Sequence, residues 1–378
     1  MTQYQRVLIR APARTFFYIN LALALRRAFM RTGADCLTQV ADLNEGAENA
    51  LLQGYAPDLV FSINCPHPNQ TAPAFRHVLW LQDNIFNGRD LRHTRFESKE
   101  DDLVYVVSQR LKNLVFPDNP DVGILHFATQ PLEHGDEKAE IKTDFSLVGY
   151  IPSASLLSNQ YSIGNGRQFS GQDYFNFLSA ALGDEIDYPL ELLDDIVEVF
   201  FNTLGSTTKE LPPEALSIFK EEYIRAFNRF RLAETILQNG HSLHLYGPDT
   251  WKGWPHLTNH YQRELPGFRD LVRTFRTSAF NLHNGGMIIH PRVFDCMGAY
   301  GGPIFANRNI VTGEEMKDFI PGTHYIEYSL SNLKEVTNYY LFNPETEKIK
   351  KNAYDLIQEK HTWNHRVAQI LNDLEKVS

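Results

Sequence analysis

SAFNLHNGGMIIHPRVFDCMGAYGGPIFANRN, residues 278–309, reads in succession as strand, glycine loop, helix, glycine turn and strand. Ser278–His283 alternates Phe280 and Leu282 with polar neighbours. It ends in Asn284, Gly285 and Gly286, where backbone lacking a Cβ can approach a ligand closely. His290-Pro291 opens the helix, because proline at a first helical position gives up only an N–H that had no partner. Val293, Phe294 and Met297 supply the apolar stripe. Gly301-Gly302 stops the helix before an apolar strand at 303–306.

Arg292 and Asp295 are three residues apart and so share one face near the helix start. A helix N-terminus offers unbonded N–H groups and the positive end of its dipole, which suits a diphosphate. Arg292 adds a forked, permanently charged donor set for phosphate oxygens. Asp295, one turn in, can accept two hydrogen bonds from a vicinal diol such as a ribose. Together they form a nucleotide-diphosphate clamp. The same spacing also fits an ordinary Arg–Asp surface pair, and both readings stand at this point.

The segment HPRVFDCMGAYGGPIFANRN resembles the RxFE-xMA-x-GG core of the CgeB-like glycosyltransferases, a branch of the GT-B superfamily. The resemblance continues through PGTHYIEYS and through YYLFNPETEKIKKNAYDLIQEKHTWNHRVAQIL, which is similar to the family's helical tail with its HT-x-x-HR signature. It covers roughly the last hundred residues well, and the first half only in order of elements. It implies a GT-B architecture, two Rossmann-like α/β domains facing a central cleft. It also implies that the acidic residue of the motif, here Asp295, holds the donor ribose. Retaining members often carry an earlier carboxylate eight positions upstream, where this chain has Met287.

A chain of 378 residues is long for one core and comfortable for two domains. With 43% hydrophobic and 22% charged residues it has an ordinary globular composition. The formal charge of −10 and the lack of a lysine- or arginine-rich block argue against a nucleic-acid partner. Cys36, Cys65 and Cys296 show no metal-ligand spacing, and the reading is a reduced, cytoplasmic protein. No segment reaches the ~18 uninterrupted apolar residues of a spanning helix, and no signal peptide is visible. Peripheral membrane association stays open.

The first half, residues 1–140, predicts strands at 6–10, 58–63, 77–81, 103–107 and 122–127, with a helix over 15–32 stopped by Gly33. Strands alternating with helices point to a parallel doubly wound sheet, whose ligands sit beyond the strands' carboxyl ends. The loops 11–14, 64–69, 82–84 and 128–130 are therefore the candidates. WLQDN, VYVVSQRLKNLV and GILHFATQP resemble the acceptor-side half of the same family. Asp83 is the candidate catalytic or acceptor-orienting carboxylate, with a strand-end capping role as the rival reading. His67 and His126 are weaker candidates.

Residues 130–142 are polar and read as the linker. The second domain spans 141–360, with a helical insertion at 156–239. Its first strand, Thr143–Val148, runs into Gly149, similar to the glycine turn that faces the donor phosphates in GT-B enzymes. No basic residue follows between 149 and 159, so Arg292 would bear more of the charge or Arg167 would reach in. Arg225, Arg229 and Arg231 lie on the helix before the strand Leu243–Tyr246, and one of them could point at the ligand. The resemblance implies that the turn at Tyr246 and Gly247 lies beside the nucleobase, and Trp251 would either stack on it or pack beneath a loop. Glu314 and Glu315 make phosphate contact in 309–320 unlikely. The tail, 361–378, would be a helix crossing back to the first domain, with Trp363, Val367 and Ile370 as its stripe and His361, His365 and Arg366 as structural residues.

The expected chemistry is transfer of a sugar from a UDP- or GDP-linked donor to a glycan, lipid-linked or protein acceptor. Arg292 and the helix end, with His290, would stabilise the leaving diphosphate without a metal or other cofactor. Gly149, Asn284, Gly285 and Gly286 would let backbone reach the donor. A nucleotide-sugar epimerase and a non-catalytic nucleotide-sugar-binding protein are the rival functions.

Overall fold

The computed structural model describes residues 4–40, 43–68, 74–83, 85–86, 89–91, 102–132, 139–164, 166–183, 190–285, 290–307 and 317–376. It divides into two compact units, Met1–Glu133 with Leu356–Ser378, and His134–Asp355.

The first unit holds β1 (Arg6–Ala11), α1 (Phe16–Arg31), β2 (Asp35–Val40), α2 (Glu45–Tyr55), β3 (Leu59–Ile63) and β4 (Arg76–Leu81). A two-residue-per-strand hairpin, β5 (Ile85–Phe86) and β6 (Arg89–Asp90), precedes β7 (Leu103–Val106), α3 (Gln109–Val115) and β8 (Gly123–Ile124). The six-stranded sheet runs β2-β1-β3-β4-β7-β8, and every neighbouring pair is parallel. All five residues of β3 are buried, as expected of a strand covered on both faces. Local chemistry sets the helix ends. Thr15 and Asn44 cap α1 and α2 by accepting from the amides of Tyr18 and Ala47, and Gly33 follows α1 at φ +93°.

The expected strand at 122–127 shrinks to the two residues of β8, because the following carbonyls go to side chains. Trp80 Nε1 donates to Leu125 O at 2.8 Å, and Arg366 donates to His126 O at 3.0 Å and Phe127 O at 3.2 Å. Those donors leave nothing for a longer ladder to satisfy.

The second unit opens with β9 (Thr143–Val148). A hairpin of β10 (Gln160–Ser162) and β11 (Gln168–Ser170) interrupts what composition predicts as a mostly helical insertion. α4 (Gly171–Ala181), α5 (Leu190–Thr203) and α6 (Pro213–Ser217) follow. One π-helical stretch, Ile218–Tyr223, then runs into α7 (Ile224–Gln238). Next come β12 (Leu243–Tyr246), β13 (Tyr261–Arg263), α8 (Phe268–Arg276), β14 (Ser278–His283), α9 (Pro291–Gly298), β15 (Ile304–Asn307), β16 (Ile326–Tyr328), α10 (Leu333–Leu341) and α11 (Glu345–Lys360). Its parallel sheet is ordered β13-β12-β9-β14-β15-β16. The chain leaves β9 on one side and returns to it on the other, so β9 and β14 flank the point where the strand order reverses. Phe145, Phe280 and Phe305 interlock at the sheet centre, with ring centroids 4.6–5.4 Å apart.

α12 (Trp363–Lys376) belongs to the first unit. Trp363 packs edge-on against Trp80, Thr129 bridges to Thr362, and Tyr105 Oη donates to Asp373 at 2.8 Å. Among the described residues no helix is long and apolar enough to cross a membrane.

Candidate functional site

In an open parallel sheet the ligand crevice lies beyond the carboxyl ends of the strands, where their order reverses. In the second unit that place is occupied by Gly149 after β9, Gly247 after β12 and Asn284-Gly285 after β14.

The first two glycines touch through their backbones. Gly149 N–H donates to Tyr246 O at 2.8 Å. Gly247 has φ +142°, and a Cβ built on it would lie 2.1 Å from Gly149 O. Only glycine tolerates that approach. Trp251 Nε1 donates to Gly149 O at 2.8 Å, Trp254 Nε1 to Pro152 O at 3.0 Å, and Tyr261 Oη to Gly247 O at 3.1 Å. The turn is thus held rigid from below. Trp251 is fully buried, which places it beneath the turn rather than open to a base.

Two guanidiniums converge on the same turn. A Cβ at Gly149 would lie 3.0 Å from an Arg292 Nη and 3.3 Å from an Arg229 Nη. Arg229 also stacks over the Tyr150 ring at 5.4 Å, beside Arg225 at 5.0 Å. Arg225 is engaged by Glu222 at 2.5 Å. Burial, then the Arg229 charge, pushes the Arg292 guanidinium down to about 9, so it remains a cation at neutral pH. Two like charges thus face one loop, an arrangement that an anion would relieve.

His290 caps α9, its Nδ1 accepting from Arg292 N at 3.2 Å, and Pro291 takes the first helical position. Burial pushes the imidazole well below its ordinary range, and Arg292, His283 and Arg229 add to this. A neutral ring that accepts at Nδ1 carries its proton on Nε2, so His290 is a hydrogen-bond donor there. His283 lies 5.4 Å away, ring to ring, and a Cβ at Gly285 would sit 3.3 Å from its Cε1. Asn284 is buried. Asp295 lies half-buried one turn into α9. It helps burial raise the neighbouring Cys296 thiol. Burial raises the Tyr246 phenol, against a hydrogen bond from Thr274. Gly286, Met287, Glu314 and Glu315 lie outside the described residues.

Arg167 does not reach this turn; its Nη1 faces Thr203 O at 3.4 Å. The second cation is Arg229, and the helical pattern carried a signal for it. Ala226, Leu232, Ala233 and Ile236 are buried at spacings of three, four and seven from it, so Arg229 falls in the apolar stripe of α7. A cation in such a stripe needs a reason.

Asp83 lies in the first unit, exposed beyond β4. Asn64, at φ +48°, donates through Nδ2 to Asp83 Oδ2 at 3.3 Å and to Tyr18 Oη at 3.4 Å, and accepts from Gln82 N at 2.8 Å. Asp83 therefore belongs to a small polar group at the carboxyl ends of β3 and β4. Asn69 and Asn84 lie outside the described residues. His126 bonds Val107 O at 2.8 Å through Nδ1 and is structural.

Residues 219–372 match a family model described as glycosyl transferase-like. Among solved structures the chain is similar to AviGT4, a glycosyltransferase involved in avilamycin A biosynthesis, with TM-score 0.55, 10% identity and 99% of each chain covered. It is also similar to Anabaena Alr3699/HepE, solved in complex with UDP and glucose, with TM-score 0.50, 14% identity, and 98% of this chain and 100% of that one covered. At such identities the likeness is one of fold, and the fold is GT-B. None of the curated proteins matches the sequence.

Proposed function

We propose that this chain is a glycosyltransferase that moves a sugar from a UDP- or GDP-linked donor to a glycan, lipid-linked or protein acceptor, and that it belongs to the CgeB-like branch. One observation carries the reading: Arg292 and Arg229 meet over the Gly149 turn at the start of α9. Two cations and a helix N-terminus are what a departing nucleoside diphosphate requires.

In this reading the diphosphate lies against Gly149, Arg229 and Arg292, and His290 Nε2–H donates to the same group. Asp295 accepts the ribose hydroxyls, and Tyr246 with Gly247 borders the base. Asn284 and Gly285 admit the sugar. As the acceptor oxygen bonds to the anomeric carbon, the bond to the diphosphate breaks and the electron pair passes to phosphate oxygens held by the two guanidiniums. The acceptor's proton leaves to Asp83 in an inverting route, or to the departing phosphate in a retaining one. The positive charge that metal ions supply in other transferases comes here from protein groups. A cytoplasmic location fits the cysteine usage.

Thermal shift against a panel of UDP-, GDP-, CMP- and dTDP-sugars tests recognition. Release of free nucleotide with an acceptor present separates transfer from binding alone. Asp295→Ala should remain folded and lose nucleotide affinity; unchanged affinity removes Asp295 from the ribose role.

A further inference from the structure

One face of the first unit's sheet changes character along its length. Leu8 and Val60 form an apolar patch with Leu52 of α2. Next to it the same face carries Arg10, Ser62 and His77, all buried, because Arg10 aligns with Ser62 and His77 aligns with Val60. Asp102 directly precedes β7, and the connection after β3 brings His67 over it. Arg10 is matched by Glu48 of α2 and donates to Ser62 Oγ at 3.3 Å and to Pro66 O at 2.7 Å. Such a buried polar layer is stable only where its groups are hydrogen-bonded or paired, as Arg10 and Ser62 are.

We propose that His67, His77 and Asp102 form a site for a divalent transition-metal cation of the zinc type. His77 Nδ1 lies 3.1 Å and His67 Nε2 3.6 Å from Asp102 Oδ1. The three donors all fall within 4.8 Å of one another. Zinc bound at ~2.0–2.1 Å in tetrahedral geometry spaces its ligand atoms about 3.3 Å apart. The two measured separations bracket that spacing.

The far side of each ring is anchored as a metal ligand's is. His67 Nδ1 lies 2.6 Å from Pro68 O, and a carbonyl only accepts, so the proton sits on Nδ1. In its neutral form the ring then presents its Nε2 lone pair on the Asp102 side, where a cation can be held by both. His77 Nε2 contacts Ser62 Oγ at 3.0 Å, and Ser62 is itself held by Arg10. Such outer partners fix ring orientation and tautomer. The side chains of His67, His77 and Asp102 are 14%, 2% and 5% exposed, so an ion held by them would be largely shielded, with the His67 side the one open to water. Bound there, the metal clips the connection after β3 to the starts of β4 and β7. This role is separate from the donor site and does not depend on the proposed sugar transfer.

The full-length chain, stripped with a chelator, should bind one equivalent of Zn2+ with a rise in Tm, and Co2+ should give an intense visible spectrum typical of tetrahedral N/O ligation. His67→Asn, the mildest change because His67 is the most exposed ligand, should weaken Zn2+ binding by about two orders of magnitude while the far-ultraviolet circular dichroism stays that of the parent. Asp102→Asn should do the same. Absence of stoichiometric binding, or equal binding by the parent and the His67→Asn chain, would overturn the proposal. UDP affinity should be the same in both chains.

Discussion

At the scale of single residues, Arg292 decides the most. Two guanidiniums over one glycine turn repel in the empty protein and are relieved by an anion. Arg292→Gln should therefore leave the ligand-free Tm unchanged or higher. The same change should lower UDP or GDP affinity by about 1.5–3 kcal/mol, the usual worth of a charge-assisted hydrogen bond. Melting and titration calorimetry read the two effects separately, and a lower ligand-free Tm would favour a structural role. His290 makes a second prediction. Its folded pKa lies below the ordinary 6.5 and the unfolded chain binds that proton more readily, so stability present above pH 6.5 is lost as pH falls. His77, His126 and His365 act in the same direction. Tm should decline from about pH 7 to about pH 5. His290→Asn, which keeps a capping side chain, should show a shallower decline than the parent. Arg292, His290 and Gly149 were legible because helix-start and strand-end chemistry is local. Arg229 was one of three similar arginines until the register of α7 showed which one points inward.

At the scale of elements, the Gly149 and Gly247 turns stand or fall together. Gly247→Ala would drive a methyl into the Gly149 carbonyl at an unfavourable φ, costing about 2–4 kcal/mol and loosening the donor turn. Trp251→Phe keeps the bulk but strips the indole donor from Gly149 O, a smaller loss of about 1–3 kcal/mol. Chemical denaturation of both variants checks the order; a neutral Gly247→Ala would mean the two turns are not coupled. Most elements could be read from periodicity and caps. β2 escaped because it is an edge strand whose alternation is inverted, with Leu37 exposed and the polar Gln39 buried. β8 was over-read because VGILHF looks like a strand, whereas its carbonyls bond to Trp80 and Arg366. Those partners are 45 and about 240 residues away in sequence, beyond any local window.

For the whole molecule, the first unit is closed by the last helix of the chain. Arg366 is buried and satisfies the carbonyls of His126 and Phe127, while Gln369 Nε2 serves Ile124 O at 2.9 Å. Arg366→Ala should cost about 2–4 kcal/mol by leaving those carbonyls unpaired. Limited proteolysis should then open the first unit ahead of the second, and equal protection of both units would contradict the assignment. The apolar stripe of Trp363, Val367 and Ile370 was visible in the sequence, and all three are buried. The sequence also reads as two domains with a tail returning to the first, and the two units divide at 133/134 and 355/356, so the returning segment starts within α11 rather than at 361. The nucleotide site is tested most directly by a crystal structure of the full chain with bound UDP or GDP. The diphosphate should lie within hydrogen-bonding distance of Arg292, Arg229 and the Gly149 turn, with the ribose on Asp295. A nucleotide bound elsewhere, with both guanidiniums untouched, would contradict it.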